Sequence, residues 1–334
     1  MKELELFSLG GLGGWFGRNK HAFVPAPGQK CLNCDTELAG RYCHVCAQDA
    51  DTHHRTIGHL IFEAFEGLFH VDGRLWQTLP PLFFAPGKLA RDLMEGRVAR
   101  HIPPFRIFLV ALLVFMFVAE HRTEELRHES NAAHHAALAG QGGNYDGVKV
   151  TKRVDPKTGE ETVTRNIRVF AISEEDAHAL ASELDASGMK PKWLKDDLVR
   201  ALDNPERFFT ALFTWGHRLA LLLLPIVGLS LGMLYIGKKH RRFFLYDHLL
   251  VAMNLLSFIF FTLAAEFALP ETVKPIAIPI LLAWTLLTFF LTLKGGYGSS
   301  TLGAILKSLI LWLMTTFSFS LVLGLAMFVS LAAD

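Results

Sequence analysis

Five apolar runs, four of them beyond Arg218, constrain this chain more than any other feature of its sequence. A bilayer core about 30 Å thick is crossed by roughly 20 apolar residues in a helix that rises about 1.5 Å per residue. The runs lie at about Ile107–Ala119, Leu219–Ile236, Leu249–Leu269, Ile276–Leu293 and Ser308–Ala332. The first is short unless Pro104 and Phe105 are counted with it, and the second carries Pro225 with Gly228 and Gly232. One such run can be a buried core helix, but five in one chain predict an integral membrane protein. Composition agrees: 51% of residues are apolar, 27 are Phe and 19% are charged, against roughly 45–50% apolar and about 25% charged in soluble domains. That excludes an ordinary cytosolic enzyme, a disordered chain and a small disulfide scaffold. Lys and Arg number 33 against 32 Asp and Glu, so charge alone says nothing about acidic partners, and no nucleic-acid partner is expected.

Lys and Arg concentrate at the cytoplasmic ends of spans. Lys88, Arg91, Arg97, Arg100 and Arg106 precede the first run, Lys238, Lys239, Arg241 and Arg242 separate the second from the third, and Lys294 and Lys307 separate the fourth from the fifth. Between the third and fourth stands only Lys274, beside Glu266 and Glu271, while Arg207 and Arg218 run mildly against the pattern. The expected topology is multi-pass in a bacterial inner membrane, with a cytoplasmic N-terminus and an extracytoplasmic C-terminus. Glu3, Glu5 and glycines 10, 11, 13 and 14 break any signal-peptide pattern, so the first span is expected to serve as its own insertion signal.

The fold expected is mainly α-helical, with about five transmembrane helices, a small N-terminal zinc ribbon and an extracytoplasmic α+β insert. Its segments are an N-terminal stretch (1–29), a cytosolic zinc ribbon (30–50), an amphipathic and basic membrane-surface connector (51–103), a first transmembrane helix (104–120), the insert (121–207) and a four-helix transmembrane region (208–334).

The four cysteines fall within sixteen positions, as Cys31-Leu-Asn-Cys34 and Cys43-His-Val-Cys46. Paired CxxC knuckles put four thiolates at the corners of a tetrahedron, the shell that Zn²⁺ prefers. A rubredoxin-like iron or an iron–sulfur site uses the same ligands. Cysteines confined to the reducing side argue against structural disulfides. Four thiolates leave no open position for water, so the metal is expected to be structural, folding a segment too short for a core of its own. His44, His53 and His54 nearby read as exposed histidines or, less simply, as replacement ligands.

Residues 56–69 place Ile57, Leu60, Ile61, Phe65, Leu68 and Phe69 near one helical face, which suits either a helix in the headgroup plane or one packed on protein. Arg91, Arg97, Arg100 and Arg106 follow; guanidinium groups there can anchor the chain by the positive-inside effect or hold lipid phosphate. The double CxxC, then Gln48 and Arg55, then Thr78, Leu79, Leu82, Pro86, Gly87, Arg91, Gly96, Arg97 and Pro104, resemble the pattern of an uncharacterised family of bacterial multi-spanning membrane proteins that carries a domain of unknown function. Tyr246-Asp-His248 and Tyr297-Gly298 are similar to it more loosely. Family ribbons commonly have Gly after each knuckle where this chain has Asp35 and Ala47. The resemblance implies an architecture and a metal, and no activity.

In the insert, a polar helix is expected over Glu120–Leu138, a hinge at 141–144, a β-hairpin from 148–154 and 162–170 around the 155–159 turn, and helices opening at Ser173 and Pro191. The histidines at 121, 128 and 135 form only a loose row, which suits a solvated helix. Polar side chains within the spans are scarce; His248, Asn254 and Glu266 are the ionisable or amide candidates. His248 and Glu266 would share a helix face about 27 Å apart, too far for joint chemistry. No GxSxG, HExxH, Walker or Rossmann pattern is present. The leading expectation is an accessory or scaffold protein whose ribbon docks a partner in a membrane complex, with membrane lipids and a membrane-protein partner or second copy as neighbours. A transporter or lipid-handling protein and an intramembrane enzyme are the alternatives.

Overall fold

The computed structural model describes residues 25–50, 74–138, 148–154, 161–167, 173–236 and 243–332, with the backbone alone described for 136–138 and for 148–154 and 161–167. The amphipathic stretch 56–69, His53 and His54, the 141–144 hinge, the 155–159 turn and the basic loop 238–242 lie outside these residues. The chain is mostly helical, and five of its helical stretches are long and apolar enough to cross a membrane: Pro104–His135, Pro205–Tyr235, Leu245–Ala268, Lys274–Gly295 and Thr301–Ala332.

After the cysteine segment come α1 (Leu75–Phe84) and α2 (Pro86–Met94), then α3 (Pro104–Leu138). The sequence suggested a short first span followed by a separate polar helix. The two are one helix, because neither Pro nor Gly interrupts the chain between Pro104 and Ala139. Beyond the apolar part it is laced by pairs one turn apart, His121 with Glu125 at 3.2 Å and His128 with Glu124 at 3.9 Å.

Strands β1 (Val148–Val154) and β2 (Glu161–Ile167) pair antiparallel, Val148 opposite Ile167. This two-stranded hairpin is the one sheet among the described residues, less than the α+β domain that the sequence suggested. Helix α4 (Glu174–Ala186) is capped by Ser173, whose hydroxyl accepts from the Asp176 N–H, with three acids in the first turn. After α5 (Lys192–Asp203), Asn204 caps α6 (Pro205–Ala220).

Helix α7 (Leu223–Tyr235) follows α6 across a break at Leu221 and Leu222. Pro225 explains it: the ring has no N–H for the Leu221 carbonyl and crowds that residue. Helices α8 (Leu245–Ala268), α9 (Lys274–Gly295) and α10 (Thr301–Ala332) complete the set. The most apolar window of α8 is 72% buried and that of α9 only 22%, so α8 is interior while α9 presents Ile276, Ile280 and Leu287 outward. Exposed apolar faces of that extent are what lipid-facing helices carry.

Two compact units emerge, one of Met1–Val110, Leu224–Phe258 and Leu282–Met314, the other of Ala111–Leu223, Ile259–Leu281 and Thr315–Asp334. In the second, Phe208, Phe209, Leu212 and Ala326 form a core, Phe115 stacks on Phe260, and Phe260 meets Phe319 edge-on.

In the first unit, Gly228 of α7 faces α8 so closely that a Cβ there would lie 2.8 Å from Leu249 Cδ2, the tight helix contact for which a GxxxG pair is suited. Helix α1 belongs to this unit too. Its Phe83 packs on Phe258 of α8 and Trp284 of α9 at ring separations of 5.6 and 6.4 Å, and Trp284 Nε1 donates to the Phe83 carbonyl at 3.2 Å.

Candidate metal centre

The cysteine segment is built twice. In each half the cysteine's N–H and carbonyl close a loop around the knuckle: Cys31 N to Thr36 O and Asp35 N to Cys31 O, then Cys43 N to Gln48 O and Ala47 N to Cys43 O, all at 2.8–2.9 Å. Bridges Lys30–Glu37 and Tyr42–Asp49 flank the two loops. Each loop turns by placing its fifth residue in the left-handed region, with φ of 58° at both Asp35 and Ala47. Glycine is the usual occupant of that conformation. Asp tolerates it, and Ala carries a cost of about 1 kcal/mol. The missing glycines therefore leave the knuckle geometry unchanged.

The fold brings the four sulfurs within 4.8 Å of one another. Cys31 Sγ and Cys46 Sγ are 3.6 Å apart, and Cys34 Sγ and Cys43 Sγ 3.5 Å. Sulfurs joined as disulfides would stand at about 2.05 Å. Around a metal with bonds of about 2.3 Å, a tetrahedral shell puts them roughly 3.8 Å apart. The donor set therefore fits a tetrahedral metal ion. Burial pushes the Cys31 thiol up to about 11, while hydrogen bonding to Thr36 holds Cys34 down at about 6. A dication would draw the protons off the whole set. His44 is exposed and stands outside the cluster.

The centre is fixed to the helices next to it through two side chains. Gln48, buried, donates from Nε2 to the Gly96 carbonyl at 2.7 Å and accepts at Oε1 from the Ala99 N–H at 3.2 Å. Arg100 donates to the Asn33 side-chain oxygen at 2.8 Å and to its carbonyl at 2.7 Å. One knuckle is thus held by Gln48 and the other by Asn33.

The residues behind the family resemblance make up the surface that receives it. Gly87 lets α2 touch α9: a Cβ there would meet Leu291 O at 2.3 Å and Gly295 Cα at 2.9 Å. Arg91 donates twice to the Gly295 carbonyl, at 2.7 and 2.9 Å, capping the C-terminus of α9. Gly96, at φ +78°, closes α2 in a Schellman motif with Gly96 N to Leu93 O and Arg97 N to Asp92 O. The Arg97 guanidinium lies 3.4 Å from Asp92 and 3.0 Å from Glu95. The Thr78 hydroxyl accepts from the Ile102 N–H and donates to the Arg74 carbonyl.

Of the four arginines considered for lipid phosphate, Arg91, Arg97 and Arg100 therefore direct their guanidinium groups at protein partners, and Arg106 is half-buried. His248 is buried, and its Nδ1 meets the Tyr297 hydroxyl at 2.8 Å. Tyr297 stacks on Tyr235 at 4.1 Å, and Lys307 Nζ sits 3.8 Å above the Tyr235 ring while donating to the Leu234 carbonyl at the end of α7. Asn254 is buried, and neither of its amide atoms has a hydrogen-bond partner among the described residues. Glu266 is half-buried two residues before the end of α8. These three candidates stand at different heights on one helix and share no site.

A family model described as a protein of unknown function (DUF3667) matches residues 72–116. The matched segment covers α1, α2 and the first turns of α3, where the Gly96 carbonyl receives Gln48 of the cysteine segment and Arg91 caps α9. No curated protein and no solved structure matches the chain.

Nothing in the sequence marks Asn33, between the cysteines of its knuckle, or Gln48, in the family-like pattern, as a tether. The buried Asp92–His101 contact, Nε2 to Oδ2 at 3.4 Å, carried no signal beyond a histidine in a basic stretch.

Proposed function

We propose that this protein is a membrane-embedded adaptor whose zinc ribbon, held rigidly on the cytosolic side of a bacterial inner membrane, docks a protein partner. The observation that carries the reading is the division of labour within the ribbon. Its inner side is tied down by Gln48 and by Asn33 with Arg100. Its outer side carries Leu32, Tyr42 and Val45, the last two 60% and 64% exposed. Exposed apolar residues on a rigid element suit a protein interface, because little ordering entropy is lost on binding. Zinc fits the four-thiolate donor set, and its closed shell directs it to a structural role. The Lys and Arg bias supports a cytoplasmic N-terminus, an extracytoplasmic C-terminus and an extracytoplasmic position for the hairpin segment.

Lipid handling is the second reading, favoured by the apolar packing of α1 on Phe258 and Trp284 of the candidate spans α8 and α9. A photo-crosslinking amino acid at Val45, in cells producing the full chain, separates the two. The adaptor reading expects one discrete protein adduct at Val45 that disappears in the Cys43→Ser/Cys46→Ser variant while membrane levels of the chain hold. Adducts to lipid alone, or a protein adduct indifferent to the cysteines, would contradict it.

A further inference from the structure

Helix α10 keeps one face bare along its second half. Phe317, Leu321, Leu325 and Phe328 are exposed and follow one another at steps of four, four and three residues, so they form a single stripe. From Lys307 to Phe328 the helix rises about 30 Å, which matches the hydrocarbon core of a bilayer. No charged residue stands between the two. Lys307 marks one end of that stretch, where its ammonium donates to the Leu234 carbonyl. Phe328 marks the other.

At Phe328 a second element joins the stripe. Trp193, in the first turn of α5, meets the Phe328 ring edge-on at 6.1 Å, and both side chains are more than half exposed. The core does not account for this tryptophan. Helix α5 turns half-buried Leu194 and Leu198 and buried Ala201 inward, at i, i+4 and i+7. Trp193 lies about 100° round the helix from Leu194, and its indole N–H has no hydrogen-bond partner among the described residues. Lys190 and Lys192 are exposed and make no ion pair among the described residues, whereas Lys195 pairs with Asp185 at 2.9 Å and Arg200 pairs with Asp197.

We propose that the N-terminal turn of α5 is a membrane-surface anchor: Trp193 seats in the headgroup layer of the bilayer beside Phe328, and Lys190 and Lys192 contact lipid phosphate. Three observations select phospholipid as the occupant. The bare patch continues the exposed apolar face of a candidate span. It begins where that helix has risen one hydrocarbon thickness. An indole with an unmet N–H, next to two unpaired ammonium groups, has the amphipathic make-up of an interfacial anchor. The anchor is independent of the adaptor reading, and in the topology proposed above it lies on the outer leaflet.

The test uses the full-length chain in nanodiscs, which expose both membrane faces, so the measurement does not depend on that topology. A fluorescent aromatic amino acid replaces Trp193 in one preparation, Phe317 in a second as the lipid-facing reference, and exposed Ala132 in a third as the solvent reference. Ala132 stands about 20 Å beyond the apolar run of α3. Quenching is measured with lipid carrying a nitroxide near the top of its acyl chain, and with iodide in the water. The expected result at position 193 is lipid quenching at least about twofold above that at Ala132, with iodide quenching at least about twofold below it. Adding phosphatidylglycerol to phosphatidylcholine discs should raise the lipid quenching, and Lys190→Gln/Lys192→Gln should remove that rise. Strong iodide quenching without lipid quenching would place Trp193 in solvent, and shielding from both quenchers would place protein over it, whether a second copy or another part of the chain. Either result would overturn the anchor. A phosphatidylglycerol effect that is absent, or that survives the double variant, would overturn the lysine contacts.

Discussion

Replacing Gly87 with alanine sets two physical effects of opposite sign against each other. In a helix, Gly→Ala ordinarily stabilises by about 0.5–1 kcal/mol, because alanine loses less backbone entropy on folding. Here the new methyl would stand 2.3 Å from Leu291 O and 2.9 Å from Gly295 Cα. Both are backbone atoms of α9 and cannot rotate aside. Relieving the overlap means moving α2 off α9 at a cost of about 1–3 kcal/mol. It also stretches the two Arg91 hydrogen bonds to the Gly295 carbonyl, where a charged donor contributes about 1.5–3 kcal/mol. The expected net is a loss of about 2 kcal/mol or more. It would be read as a lower thermal midpoint of the detergent-solubilised chain, followed by tryptophan fluorescence. Gly40, where a Cβ meets nothing within 4 Å, is the control, and Gly40→Ala should move stability by less than about 0.5 kcal/mol. Gly295→Ala should reproduce the Gly87 effect, and the double variant should cost less than the two singles together, since both open the same contact. A Gly87→Ala protein as stable as wild type would refute the close approach of α2 to α9.

Ala47→Gly should stabilise the ribbon by about 0.5–1 kcal/mol, by removing a Cβ from a left-handed residue; slower loss of metal to a competing chelator would register it. His101 is held below its ordinary value of 6.5 by burial, against the opposing pull of Asp92 and with Arg100 and Lys88 adding to the depression. Its unfolded form therefore takes up a proton first, so its contribution is present above about pH 6.5 and is lost as pH falls toward the folded value. Stability of His101→Gln measured from pH 7 to pH 5 should fall less steeply than that of wild type. For topology, a maleimide that cannot cross membranes should label Ser187→Cys from outside intact cells and Lys88→Cys only after permeabilisation; labelling of both from one side would exclude an odd number of spans between them.

The spans were legible because bilayer thickness imposes a length that few soluble helices share, and Pro225 marked the α6–α7 break because a missing N–H acts locally. The four-cysteine cluster was legible for the same reason: both knuckles are short-range patterns. Contacts made across long separations were not. Arg91 is 204 residues from the carbonyl it caps and Gln48 is 48 from Gly96, and nothing in a window around Arg91 distinguishes a helix-capping arginine from a lipid-binding one. The first span looked too short because hydropathy falls after Ala119, whereas helix propensity does not. The packing of α1 on α9 was hidden in the same way as the Arg91 cap, since Phe83 and Trp284 are 201 residues apart.

X-ray absorption at the zinc edge, with elemental analysis of the same full-length protein purified in detergent, tests most directly whether a metal organises the ribbon on its helical platform. The expected result is about one zinc per chain with four sulfur neighbours at about 2.3 Å, falling to background in the Cys43→Ser/Cys46→Ser variant. A chain that carries iron, or one with a mapped Cys31–Cys34 disulfide and no metal, would contradict it.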